Sequence, residues 1–109
     1  MLNIPSSVIN LEKLDDLDKL MELNEYLILD FSTDWCPPCR VMEGTIVNLA
    51  FELEGKAKII KIDPEVFPEV LKKYSIKGIP YFLGIQNAKI IGKAHGIVPI
   101  DQLKKLINL

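Results

Sequence analysis

The stretch "DFSTDWCPPCRVMEG", residues 30–44, holds both cysteines of the chain, its only tryptophan and two adjacent prolines between the thiols. Proline has no backbone N–H and a fixed φ, so it breaks a helix from inside, yet it is tolerated in the first turn, where N–H groups have no intrahelical acceptor. With Cys36 as N-cap, Pro37 and Pro38 take the first two helical positions. The apolar stripe Ile46, Leu49, Ala50 and Leu53 then runs on from Met42 and stops at Gly55, a C-cap. Cys36 and Cys39 stand three residues apart on one face, a spacing from which a disulfide closes with little rearrangement. The positive helix end favours a thiolate on Cys36, and because neither proline can donate, the N–H of Cys39 is the first backbone donor available to it. The prolines therefore preset a reversible dithiol–disulfide switch whose sulfurs hardly move between its two forms.

Outward from this helix, the short apolar run "YLILDF" (residues 26–31) suits a central strand buried on both faces. Ahead of it, Leu11, Leu14, Leu17, Leu20 and Met21 recur at helical spacing after Asn10, which predicts a first helix capped by Asn10, preceded by a short strand near Val8. Beyond it, "AKIIKID" (57–63) reads as a strand, "FPEVLKKY" (67–74) as a short helix, and "YFLGIQ" with "KIIGKAH" as a hairpin. Pro99 opens a last helix with Ile100, Leu103, Leu106 and Ile107 on one face. The order is β, then αβαβαββα, which predicts an α/β fold with a mixed sheet and helices on both sides.

Composition narrows the function. A chain of 109 residues with 49% apolar content fills one core, so a single domain over residues 1–109 is expected. A net charge of −2 with dispersed lysines offers no basic face, which argues against a nucleic-acid partner. No basic leader precedes an apolar run, and no run approaches the ~20 apolar residues of a membrane span, so the expectation is a cytoplasmic protein with no membrane association. In a reducing cytosol two cysteines point to catalysis or metal binding rather than to a permanent staple.

A lone C-x-x-C is also half of a metal site. Zinc or a cluster takes four ligands, and here two cysteines are joined only by the distant His95, so a four-thiolate site would require two subunits to pool their cysteines. A Cys–His nucleophilic site explains only one of the two thiols. The expectation is therefore no metal and no cofactor.

"DFSTDWCPPCR" after an apolar strand, with "KGIPYF" placing Pro80 forty-one residues beyond Cys39, resembles the thioredoxin family, and the similarity runs from about Val8 to Leu109. The resemblance implies a thioredoxin fold, a central mixed sheet of five strands flanked by four helices. It implies a thiol–disulfide oxidoreductase that reduces protein disulfides, with Cys36 attacking to form a mixed disulfide and Cys39 resolving it. Trp35, Pro37, Pro38, Ile79, Pro80 and Gly96 would line the substrate-binding surface, with Trp35 over the site, Ile79–Pro80 cis and facing the sulfurs, and Gly96 allowing close approach. The implied partners are disulfide-containing protein substrates and a thioredoxin reductase or equivalent electron donor, for a monomer. Two other classes remain on this footing: a binding module of the same fold with incidental cysteines, and a metal- or cluster-sharing dimer.

Asp30 fits the same picture on physical grounds. A carboxylate inside "LILDF" is costly to ionise without a partner, so its proton affinity is raised and it can serve as the base for Cys39, through water. The alternative is an acid at a strand end in solvent. His95 reads as an exposed, incidental histidine at the groove edge. The chain also departs from the commonest family pattern: Pro37 replaces a glycine, Arg40 a lysine and Gly44 a helix-kinking proline. The lysine often paired with the buried acid is missing, its place taken by Ile59, with Lys61 further along the same strand face.

Overall fold

The computed structural model describes residues 5 and 7–109; residues 1–4 and Ser6 lie outside the description. Nine elements follow in chain order: β1 (Val8–Asn10), α1 (Asp16–Leu23), β2 (Tyr26–Phe31), α2 (Pro37–Leu53), β3 (Lys58–Ile62), α3 (Glu69–Lys73), β4 (Tyr81–Gln86), β5 (Lys89–His95) and α4 (Ile100–Lys105). The five strands form one mixed sheet in the order β1-β3-β2-β4-β5. β1 and β2 run parallel to β3, whereas β4 runs antiparallel to both β2 and β5.

Strand periodicity sorts the core into two layers. Leu27, Leu29 and Phe31 of β2, with Ile60 and Ile62 of β3, join Leu17 of α1 and Val70 of α3 on one face. Ile28 and Ile59 meet Met42, Ile46, Leu49 and Leu53 of α2, together with Leu103 of α4, on the other. Alternation places Asp30 and Lys61 on this second, α2-facing side, and the β2–β3 register sets them directly opposite one another.

The first helix is shorter than its apolar spacing predicts. Asn10 is the last residue of β1 rather than an N-cap, and α1 begins only at Asp16 after Asp15. The reason is a backbone bond: the Leu11 N–H donates to the Lys61 carbonyl at 2.9 Å, so Leu11 reaches the core as a continuation of the sheet edge. Gly55, at φ +78°, follows the end of α2 in the left-handed conformation a C-terminal glycine supplies. Pro99 is extended and caps α4 from outside, the helix starting at Ile100.

Candidate active site

Cys36 occupies the N-cap of α2 in an extended conformation, with Pro37 and Pro38 at the first two helical positions. The first intrahelical amide bond runs from Arg40 N–H to the Cys36 carbonyl at 3.0 Å. The Cys39 N–H donates instead to Cys36 Sγ at 3.3 Å, as the missing proline donors require. On the other side, the Cys36 thiol points to the Ile79 carbonyl at 3.9 Å. Both cysteines are free thiols.

Cys36 and Cys39 are equally buried, each only 4% exposed. The Ile79 strand entrance lies against Cys36, whereas Cys39 lies inside the first turn, so different neighbours bury them equally. Their chemistry differs more than their exposure. Burial pushes the Cys39 thiol up to about 12, and its hydrogen bond with Cys36 and the nearby charges of Cys36 and Asp30 add to that, against a backbone hydrogen bond from Thr33.

Asp30 is 3% exposed and its Oδ1 has no hydrogen-bond partner. Burial raises its carboxyl from 3.8 to about 6; Lys61 and a hydrogen bond from the Ser32 side chain pull it down, while Glu43 pushes it up. A cavity of about 160 Å³ joins these groups, lined by Asp30, Thr33, Cys39, Glu43, Lys61 and Pro80 among others. Proton exchange between Asp30 and Cys39 across this polar space is chemically open.

The Ile79–Pro80 bond is cis, and Pro80 is tied to the far loop by the Gly96 N–H, which donates to its carbonyl at 2.9 Å. Gly96 takes φ +77°, a conformation that suits a residue without Cβ. Trp35 is 64% exposed, its indole Nε1–H donating to Glu65 at 2.6 Å. His95 is exposed and stacks on Tyr81, ring centroids 6.1 Å apart. The structure thus gathers Cys36, Cys39, Asp30, Ile79, Pro80 and Gly96 at one end of the sheet. Glu65 and Glu43 escape a reading of the sequence: nothing about Glu65 marks it as a partner for Trp35, though the four-residue step from Cys39 could have marked Glu43.

Among the described residues, no group of three or more His, Cys, Asp or Glu side chains is placed to hold a metal ion, and no helix is long and apolar enough to cross a membrane.

The thioredoxin family model matches residues 8–109. Among curated relatives, the thioredoxin of Buchnera aphidicola subsp. Baizongia pistaciae is 33% identical over 90 residues, 83% of each chain. Thioredoxin H4 of Arabidopsis thaliana is 30% identical over 92 residues, 84% of this chain and 77% of the relative. Among solved structures, a mutant thioredoxin from Halobacterium salinarum superposes with a TM-score of 0.84 at 25% identity, covering 98% of this chain and 93% of the other. Oxidised mitochondrial thioredoxin 3 from Saccharomyces cerevisiae gives the same TM-score and identity, covering 98% and 100%. With its five-stranded fold and paired thiols, this chain is a thiol–disulfide oxidoreductase and belongs to the thioredoxin family.

Proposed function

We propose that the protein reduces disulfides in protein substrates, with Cys36 as attacking thiolate, Cys39 as resolving thiol and Asp30 as the base that receives the Cys39 proton. The observation that carries this is the Cys39 N–H aimed at Cys36 Sγ from the start of α2, which supports negative charge on the first sulfur at the positive end of the helix. Cys36 opens the substrate disulfide and holds one half as a mixed disulfide. Cys39 then loses its proton to Asp30 across the shared cavity and displaces the reduced product. Trp35, Pro37, Pro38, Ile79, Pro80 and Gly96 form the surface on which the substrate segment lies, the Ile79 backbone offering polar groups to an extended chain. The reducing equivalents come from a thioredoxin reductase or an equivalent donor, and the protein works in the cytoplasm as a monomer.

Reduction of a protein disulfide by wild type, Cys36→Ser and Cys39→Ser tests this. Cys36→Ser should be inactive, and Cys39→Ser should retain the first attack and accumulate mixed disulfide on Cys36. Single-turnover kinetics of Asp30→Asn should show an intact first attack and a slowed resolution near neutral pH. The equilibrium potential against a glutathione buffer separates reductase from oxidase, since thioredoxin itself poises near about −270 mV and strong oxidants near about −120 mV. Full activity in Cys36→Ser would refute the assignment.

A further inference from the structure

A carboxyl group that accepts a proton in a buried site must also give it up. Asp30 is only 3% exposed, and the 160 Å³ cavity that it lines is the open space beside it. In that measure a water needs about 10–15 Å³, so the space has room for a short chain of them between polar walls. The titratable and charged groups lining it are Asp30 from β2, Asp34 from the following loop, Cys39 and Glu43 from α2, and Lys61 and Asp63 from β3 and its exit. Asp63 is half-buried and accepts the Glu65 N–H at 2.8 Å. Lys61 lies across the ladder from Asp30 and pulls its carboxyl down. Whereas Asp63 is half-buried and engaged with the Glu65 N–H, the acids Glu43 and Asp34 line the cavity and are exposed. Of these two it is Glu43, one helical turn beyond Cys39, whose charge is felt at Asp30.

We propose that Glu43 is the outer proton carrier of the site, taking from Asp30, across the cavity they share, the proton that Cys39 releases, and passing it to solvent. This rests on Asp30 being the acceptor for Cys39, as proposed above. In the step concerned the Cys39 thiol gives its proton to the Asp30 carboxylate, and the Cys39 thiolate attacks Cys36 Sγ of the mixed disulfide. The Cys36–Cys39 bond forms, the bond from Cys36 to the substrate sulfur breaks, and that sulfur leaves with the bonding pair and takes a proton from solvent. The two cysteines are oxidised to a disulfide as the substrate disulfide becomes two thiols. Before that attack Asp30 hands the proton on to Glu43 across the cavity, so that it does not return to Cys39; without the hand-over the Cys39 thiolate is short-lived and the second release slows. Glu43 acts through Asp30 and is a positioning and relay residue rather than a catalytic one.

The test uses an aromatic disulfide that releases a coloured thiol at the first attack and again at resolution, followed in dilute buffer between about pH 6 and 8. Glu43→Gln should leave the first release unchanged and slow the second on the order of tenfold. Added imidazole or phosphate at high concentration should restore the second phase, because a small acid–base pair in the open mouth replaces the lost carboxylate. Asp34→Asn should show no such buffer-reversible slowing. A second phase at the wild-type rate in Glu43→Gln, a slowed phase indifferent to buffer, or an equal buffer-reversible defect in Asp34→Asn would each overturn the proposal. Asp30→Asn run in parallel separates the levels: if it resolves normally, the reading of Asp30 fails and the relay with it. If it resolves slowly while Glu43→Gln does not, only the role of Glu43 fails.

Discussion

The backbone amide of Cys39 donates to Cys36 Sγ at 3.3 Å, so the second cysteine supports charge on the first before any bond joins them. At the same time burial holds the Cys39 thiol far above the ordinary cysteine range. Brief alkylation of the reduced protein near neutral pH should therefore mark Cys36 first, by more than roughly tenfold, since the thiolate fraction of Cys39 falls in step with its acidity. Mass spectrometry of the peptides decides it; faster labelling of Cys39 would reverse the two roles.

Asp30 ties stability to pH. Its carboxyl moves from 3.8 to about 6 on folding, so over that interval the native state binds more protons than the unfolded chain. The stability linked to this group is complete below about pH 4 and is lost as the pH rises through 6. Asp30→Asn cannot ionise and escapes the loss, so it should gain up to about 3 kcal/mol over wild type above pH 6, shrinking toward acid. Urea melts of both proteins from about pH 4 to 7.5 measure it, and a pH-independent difference would contradict the assignment.

The hairpin loop between β4 and β5 carries a cost. Asn87 and Ala88 both have positive φ, at 50° and 63°, the signature of a two-residue type I′ turn, and alanine is a poor occupant of the second position. Ala88→Gly should stabilise the protein by roughly 0.5–1 kcal/mol, the relief of the Cβ clash exceeding the added chain entropy. Thermal melts should rise by a few degrees; a fall would mean the turn is not strained at Ala88.

Gly84 presents the opposite case. A Cβ there would run into the backbone carbonyl of Leu106, beside the register shift at Gly84/Ile85, and neither chain is free to retreat. Gly84→Ala should cost about 1–3 kcal/mol or more. It should appear as a lower urea midpoint with the slope unchanged.

Legibility in the sequence follows how local each cause is. The proline pair, Cys36 as N-cap and the strand "YLILDF" are set by neighbours in the chain, and each stands where local rules put it. The start of α1 falls later than its apolar spacing predicts because Leu11 satisfies that spacing while its N–H is claimed by Lys61, fifty residues away. The equal burial of the cysteines likewise arises from a distant segment, the strand entrance at Ile79. Lys61 is visible in the sequence as a charge on the right strand face, but only the β2–β3 register makes it the neighbour of Asp30. The Trp35–Glu65 bond depends on where a loop after β3 happens to pass.

Because β4 runs against β2, with Phe31 paired to Tyr81, the entrance of the later strand is carried back to the exit of the earlier one. The helix that bears the thiols and the carbonyl that faces Cys36 thus come from opposite halves of the chain and meet only where that ladder begins. A ribosome that has released only the first half would present two cysteines at a helix start with the Ile79 wall still missing. The wall that Ile79 sets against Cys36 is a property of the finished sheet, whereas the C-x-x-C turn itself is local.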